Sequence, residues 1–198
     1  MARGTRDRFG SVNVEGKLAP DVPDGMPWLD EAAHLYDNDG EIGVTSSRRV
    51  VRLVNWIDER TWLDLPWCGL YVGHCIRKAF PSVRLPWFYV RARPWRSFGV
   101  SAEPQVGAIL LFWLRWKNSP FGHVGFYWGE DDDSFHVLGG NQHGTILVER
   151  FPKHRLIGCR WPAGTPAPGI RRRHLPSEAE PFEYANTRLM PTGGGGDP

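Results

Sequence analysis

Cysteine is scarce in this chain: Cys68, Cys75 and Cys159 are the only three among 198 residues. An odd number with no paired spacing excludes a disulfide framework and leaves free thiols as the expectation. Long apolar runs are missing as well. The opening MARGTRDRFGSVNVEGK has no hydrophobic segment of the kind that directs secretion, and no stretch approaches the ~20 residues that span a bilayer. No membrane partner is therefore expected. The product should accumulate in the cytoplasm or be carried elsewhere by an assembly or a separate export route. An excess of one charge is also absent. Lys and Arg number 24 against 22 Asp and Glu, a formal net charge of +2, so no nucleic-acid footprint is indicated for the molecule as a whole. Local basic clusters, Arg171 to Arg173 and Arg84 to Arg96, read as solvated surface or as contacts to an oppositely charged partner.

Aromatic side chains, in contrast, are plentiful, with ten Trp and ten Phe. Carbohydrate and cell-wall binders often carry such rings beside a polar groove. The same rings serve equally well to pack a core.

Along the chain, residues 1–25 are rich in Gly, Pro and charge without periodicity, and read as an extended arm. MPWLDEAAHLYD predicts a helix, with Pro27 in its first turn and Leu29, Ala32, Ala33 and Tyr36 on one face. DNDGEIG is a turn cluster that should stop it. A second helix is predicted from Ser46 to Glu59, with Val50, Leu53, Val54 and Ile57 buried. A third begins near Cys68, carries Leu70, Val72, Cys75, Ile76 and Ala79 at helical intervals, and ends at Pro81. RARPWRSFG, residues 91–99, reads as a loop or short helical turn. From residue 104 the pattern changes to short apolar runs, GAILLFWLRW, GHVGFYWG, SFHVLGG, TILVERF and LIGCRWP, separated by turn residues. Helices first and strands afterward predict an α+β domain, an antiparallel sheet with helices packed on one side. Residues 163–198, rich in Pro, Gly and Arg, read as an extended arm without a core of its own.

Within this frame Cys68 follows Pro66-Trp67 on a helix's first turn, where free N–H groups and the dipole favour a thiolate. A nucleophilic cysteine needs a base and a group that orients the base. His123 heads a strand between glycines, in Gly122-His123-Val124-Gly125, where little side-chain bulk obstructs it. Asn141 follows Gly139-Gly140 at a strand end, and its amide oxygen could accept an imidazole N–H. Each of these taken singly also fits a structural role: a buried thiol, a core histidine, a hairpin turn. Cys68 and Cys75 are seven residues apart, roughly 10 Å by helix rise, too far to share one zinc. The acidic turn at residues 130–133 has some calcium-site character but lacks ligand spacing, and reads as a solvated turn. No metal or cofactor is expected.

The ordered set PWCGLYV, ARPWRSFG, VGAILLF, GHVGFY, VLGGNQ and LIGCRWP, preceded by Pro27-Trp28, resembles the NlpC/P60 and CHAP superfamily of papain-like cell-wall hydrolases. The likeness is nearest to its phage- and prophage-associated branch and covers residues 26–162. What the resemblance implies is a papain-like fold, with Cys68 as nucleophile, His123 as general base and Asn141 as the orienting residue; His136 or His143 is an alternative third member. Relatives usually open one strand with Gly-Asp, where this chain has Gly107-Ala108. The implied activity is cleavage of peptidoglycan amide bonds, as endopeptidase or amidase, with Trp67, Trp95 and Trp128 as candidate walls of the substrate cleft. Implied partners are bacterial peptidoglycan and, through the terminal arms, phage tail or baseplate proteins. The implied locations are two: release from the host cytoplasm, or carriage in the virion. A different class is also consistent with the residues: a structural tail protein that keeps the hydrolase fold without turnover.

Overall fold

Pro27 fixes the backbone at the start of α1, Pro27–Asp39, and the residues behind it bury Trp28, Leu29, Ala32, Ala33 and Leu35. The helix runs through Asp37, Asn38 and Asp39, beyond the point where the sequence cluster was expected to stop it. The computed structural model describes residues 22, 24–39, 66–167, 169 and 171–177. The helix expected from Ser46 to Glu59, and most of both arms, lie outside the described residues.

The Cys68 helix, α2, spans Cys68–Ala79 and starts directly after Trp67, with no side-chain cap. The Phe80 N–H closes it on the Ile76 carbonyl at 2.9 Å, and Pro81 cannot continue the helix. Its inward stripe holds Leu70, Tyr71, Val72, Cys75 and Ile76. Tyr71 ties the two helices together, donating its hydroxyl to the Ala32 carbonyl at 2.9 Å. Two glycines on α2 admit a neighbouring loop. A Cβ at Gly73 would sit 2.7 Å from the Tyr89 ring, and one at Gly69 would meet the Val90 carbonyl at 2.7 Å. The residues 85–90 loop therefore lies flush on the helix.

The apolar runs form six antiparallel strands: β1 Val100–Ser101, β2 Ile109–Trp113, β3 Gly122–Glu130, β4 Ser134–Gln142, β5 Thr145–Pro152 and β6 Leu156–Trp161. They lie in the order β1-β6-β2-β3-β4-β5. The α+β class expected from helices followed by strands is what the chain adopts. RARPWRSFG contains a 3-10 helix at Arg93–Ser97. The two-residue β1, which pairs Val100 with Trp161, is too short to show a period in the sequence.

Side chains alternate across the sheet, and both faces are covered. On one face Phe126 packs against Tyr71 of α2 with ring centroids 6.1 Å apart. On the other, Phe112 of β2 stacks on Phe151 of β5 at 4.9 Å. Those two strands are separated by β3 and β4, so rings on them meet only if the sheet curls strongly toward that face. His123 lies inside this curl, stacked on Phe151 at 4.7 Å and nearly parallel to it.

The chain beyond Pro162 does not leave the body at once. Arg171 and Arg173 accept backbone bonds from Val106 and Glu130, and the Leu175 N–H returns one to Glu130. Leu175 fits against Gly129, where any Cβ would collide with it at 2.5 Å. Residues 171–175 thus dock along the sheet, and the folded body extends past the boundary at 162 drawn from composition.

Candidate active site

Cys68 is the first residue of α2 and is 2% exposed. Its sulfur accepts backbone N–H groups from Gly69 and from Val124, the residue after His123 on β3. The helix start and the strand start are thereby brought together, although 55 residues separate Cys68 from His123 in the chain. Burial dominates the thiol's chemistry. It pushes the Cys68 pKa up to about 11, against the opposing pull of the N–H groups. The helix N-terminus was expected to favour thiolate; desolvation outweighs it, and Cys68 rests as a thiol. The other two cysteines are buried as well, and burial likewise raises them.

His123 is 5% exposed. Its Nε2 lies 2.9 Å from Oε1 of Gln142. The amide nitrogen of Gln142 donates to the carbonyls of Leu147 at 2.8 Å and Val137 at 3.3 Å. Because carbonyls only accept, the amide orientation is fixed, and its oxygen must face the imidazole. The imidazole therefore carries its proton on Nε2 and keeps the Nδ1 lone pair as the base. Burial lowers the His123 pKa to about 4, partly opposed by the Gln142 bond. The ring is neutral at physiological pH.

Gly139 makes this clamp possible: a Cβ there would overlap the Gln142 amide oxygen and sit 2.8 Å from His123 Nε2. Gly140, on the α2 side, leaves room for Trp67 and for Tyr71, whose Cβ would be 2.7 Å away. The Gly-Gly pair is thus a spacer on both faces of β4 at once.

Of the three expected residues, Cys68 meets the β3 backbone at Val124, next to His123, whereas the His123 ring stacks on Phe151 on the sheet face away from α2. The residue that holds the imidazole is Gln142, one position beyond the expected Asn141. Asn141 has left-handed backbone, φ 62°, within the irregular pairing between Gly139 and Gln142. Among the described residues, no hydrogen bond joins the Cys68 sulfur directly to the imidazole. His136 hydrogen-bonds Asp131 at 2.8 Å, and His143, which is largely exposed, pairs with Glu149 at 2.8 Å; neither is the partner of His123.

The indoles singled out for the cleft are core residues. Trp67, Trp95 and Trp128 are 3%, 0% and 4% exposed. Trp95 donates to the Tyr89 carbonyl at 2.8 Å, and Trp128 lies beneath the Arg173 guanidinium. The acidic turn is not wholly solvated. Asp131 is buried, accepting N–H groups from Asp133 and Ser134, His136 Nε2 and, at 2.6 Å, Arg150 Nε. Among the described residues no cluster of three His, Cys, Asp or Glu is placed to hold a metal ion, and no helix is long and apolar enough to cross a membrane.

No protein-family model, curated protein or solved structure matches the chain.

Proposed function

We propose that this protein is a cysteine hydrolase of the papain-like NlpC/P60–CHAP type that cleaves amide bonds in peptidoglycan. The observation that carries this reading is the meeting of the Cys68 sulfur with the β3 backbone next to His123, whose tautomer Gln142 fixes with Nδ1 as base. In the reaction, Cys68 attacks a peptide carbonyl carbon while its proton passes to His123 Nδ1, a transfer that requires the ring to leave its stack on Phe151 and reach the α2 face of the sheet. The imidazolium returns that proton to the departing amine, leaving an acyl-enzyme, and then draws a proton from the water that hydrolyses it. An oxyanion developing beside the sulfur would draw on N–H groups of the first turn of α2, including the Gly69 N–H that rests on the sulfur. Gln142, rather than Asn141, takes the orienting role. The resting pair is thiol and neutral imidazole, so proton transfer accompanies attack rather than preceding it.

The same reading places the protein with a bacteriophage, made in the host cytoplasm and acting on the wall after release or as part of the virion tail. The terminal arms would serve as contacts to tail or baseplate proteins. Digestion of defined muropeptides, read by mass, tests the activity. Wild type should release a peptide or amine fragment and Cys68→Ala should not. Equal digestion by both would sink the proposal.

A second reading is favoured by the burial of the sulfur: a structural tail protein that retains the fold without turnover. A thiol reagent that labels Cys68 no faster than Cys75 or Cys159 would support it.

A further inference from the structure

Among the described residues, the exposed aromatic side chains gather on two loops, with Val100 of β1 the one large aliphatic side chain as exposed. Trp87 is 93% exposed, Phe88 47% and Trp116 54%. A tryptophan so fully in water forgoes the burial that its area would otherwise gain, and an exposed aromatic cluster marks a contact surface. Both loops flank the site. The first rests on α2 beside Cys68, since Gly69 abuts the Tyr89 and Val90 backbone. The second leads into Gly122 and His123, and Arg93, in the 3-10 turn that follows the first loop, donates to its Lys117 carbonyl at 2.9 Å. Phe88 is held in left-handed backbone, φ 56°, a costly state for an aromatic residue, with the Arg91 guanidinium 5.6 Å from its ring. The chain thus accepts backbone strain at the point where Trp87 and Phe88 turn outward.

Charge identifies what these rings would meet. Arg84, Arg91, Arg93, Arg96, Arg115 and Lys117 fall on the two loops and the adjoining 3-10 turn, whereas Glu103 is the only acidic residue between 81 and 121. The acidic run at residues 130–133 lies at the opposite end of β3. We infer that Trp87 and Trp116, with these cations, grip an anionic glycopeptide strand: sugar faces stack on the indoles, and peptide carboxylates meet the arginines. The inference rests on the hydrolase reading and states how that substrate is held.

The test is sedimentation of the full-length Cys68→Ala protein with purified insoluble peptidoglycan, alone and with Trp87→Ala, Trp116→Ala or both. Each exposed indole should be worth roughly tenfold in apparent affinity, as contact hot spots are, and raised salt should weaken binding further. Thermal midpoints should be unchanged, because the rings support no core. Unchanged sedimentation of the double variant overturns the inference, as does a parent that fails to sediment. Tryptophan-dependent capture by phosphatidylglycerol vesicles in place of peptidoglycan would make the patch a membrane contact and also overturn it. Turnover separates the two proposals: muropeptide cleavage with tryptophan-independent binding removes only the grip, and tryptophan-dependent binding without cleavage removes only the hydrolase.

Discussion

His123 and His136 lie on adjacent strands, are both buried, and both give Nε2–H to a side-chain oxygen, yet their surroundings suit opposite tasks. His123 meets a neutral amide. That bond orients the ring but adds no opposite charge, so burial prevails and the imidazole stays an uncharged base. His136 meets the Asp131 carboxylate, which also binds Arg150 and two backbone N–H groups. The Arg150 guanidinium, as the largest influence, holds the Asp131 carboxyl well below the usual carboxylate range. One end of β3 holds a buried, neutral imidazole; the other is a charged brace at the β3–β4 turn. A carboxylate held so far below its usual range does not exchange a proton at neutral pH, and a neutral amide supplies no charge to offset a buried guanidinium.

The largest effect should come from breaking the brace. Asp131→Ala removes the carboxylate that Arg150 binds in the interior and releases four hydrogen bonds, a loss of about 3–5 kcal/mol by analogy with other severed buried pairs. Urea titration measures it. A loss below about 1 kcal/mol would show that the cluster is better hydrated than its burial implies. Cleavage per folded molecule should be unaffected, since Asp131 belongs to the other end of the strand.

Acid titration separates the two ends next. The folded His123 pKa, about 4, lies below its ordinary 6.5. Its contribution is therefore complete above 6.5 and is lost as pH falls through 4, amounting to about 3 kcal/mol. Glu149 acts with the opposite sign. Burial raises it from 4.5 to about 7; among the described residues its Oε2 is buried without a hydrogen-bond partner, and its Oε1 pairs with the largely exposed His143. Its term is complete below 4.5 and is lost as pH rises through 7. The two nearly cancel between 4.5 and 6.5, so wild-type stability should be flat there. Glu149→Gln should unmask a slope, with stability falling toward pH 4.5. Below 3.8 the Asp131 term fails and all variants should unfold more readily. A flat profile in Glu149→Gln would mean that His123 becomes protonated inside the fold.

Gly139→Ala probes the clamp itself. The new methyl overlaps the Gln142 oxygen and crowds His123 Nε2, at an overpacking cost of about 1–3 kcal/mol. Cleavage should fall further than stability does, because the imidazole loses its fixed tautomer. Activity unchanged in a folded Gly139→Ala protein would remove Gln142 from the mechanism.

Much of this arrangement could be read in the chain beforehand, for identifiable reasons. The strands announce themselves as apolar runs between turn residues, and α1 and α2 by helical spacing, because burial imposes those periods. Exposure is another matter. Trp67, Trp95 and Trp128, equally suited by sequence to a cleft wall or a core, are buried, while Trp87 and Trp116 project into solvent; the distinction depends on which loop lies against which helix. Asp131 looked solvated within a run of like charges, and only Arg150, its partner from β5, makes it internal. The choice between Asn141 and Gln142 rests on a local irregularity in strand pairing. Because strand faces alternate, a one-residue shift exchanges the side chains on a face, and neighbouring amides give no hint of it.

Asn141→Gly should accordingly have the smallest effect. Position 141 has φ 62°, a conformation that glycine adopts without the penalty an L side chain meets. The substitution therefore removes the amide while retaining the turn, where alanine would confound the test with backbone strain. If Gln142 alone holds His123, stability should change by less than about 0.5 kcal/mol and the cleavage rate by no more than about twofold, roughly 0.4 kcal/mol of barrier. Gln142→Ala provides the contrast, because it leaves the buried Nε2–H and the Val137 and Leu147 carbonyls without their amide partner. A large fall in rate for Asn141→Gly, with Gln142→Ala near wild type, would return the orienting role to Asn141. It would also mean that the His123–Gln142 bond gives way to a different arrangement when substrate is bound.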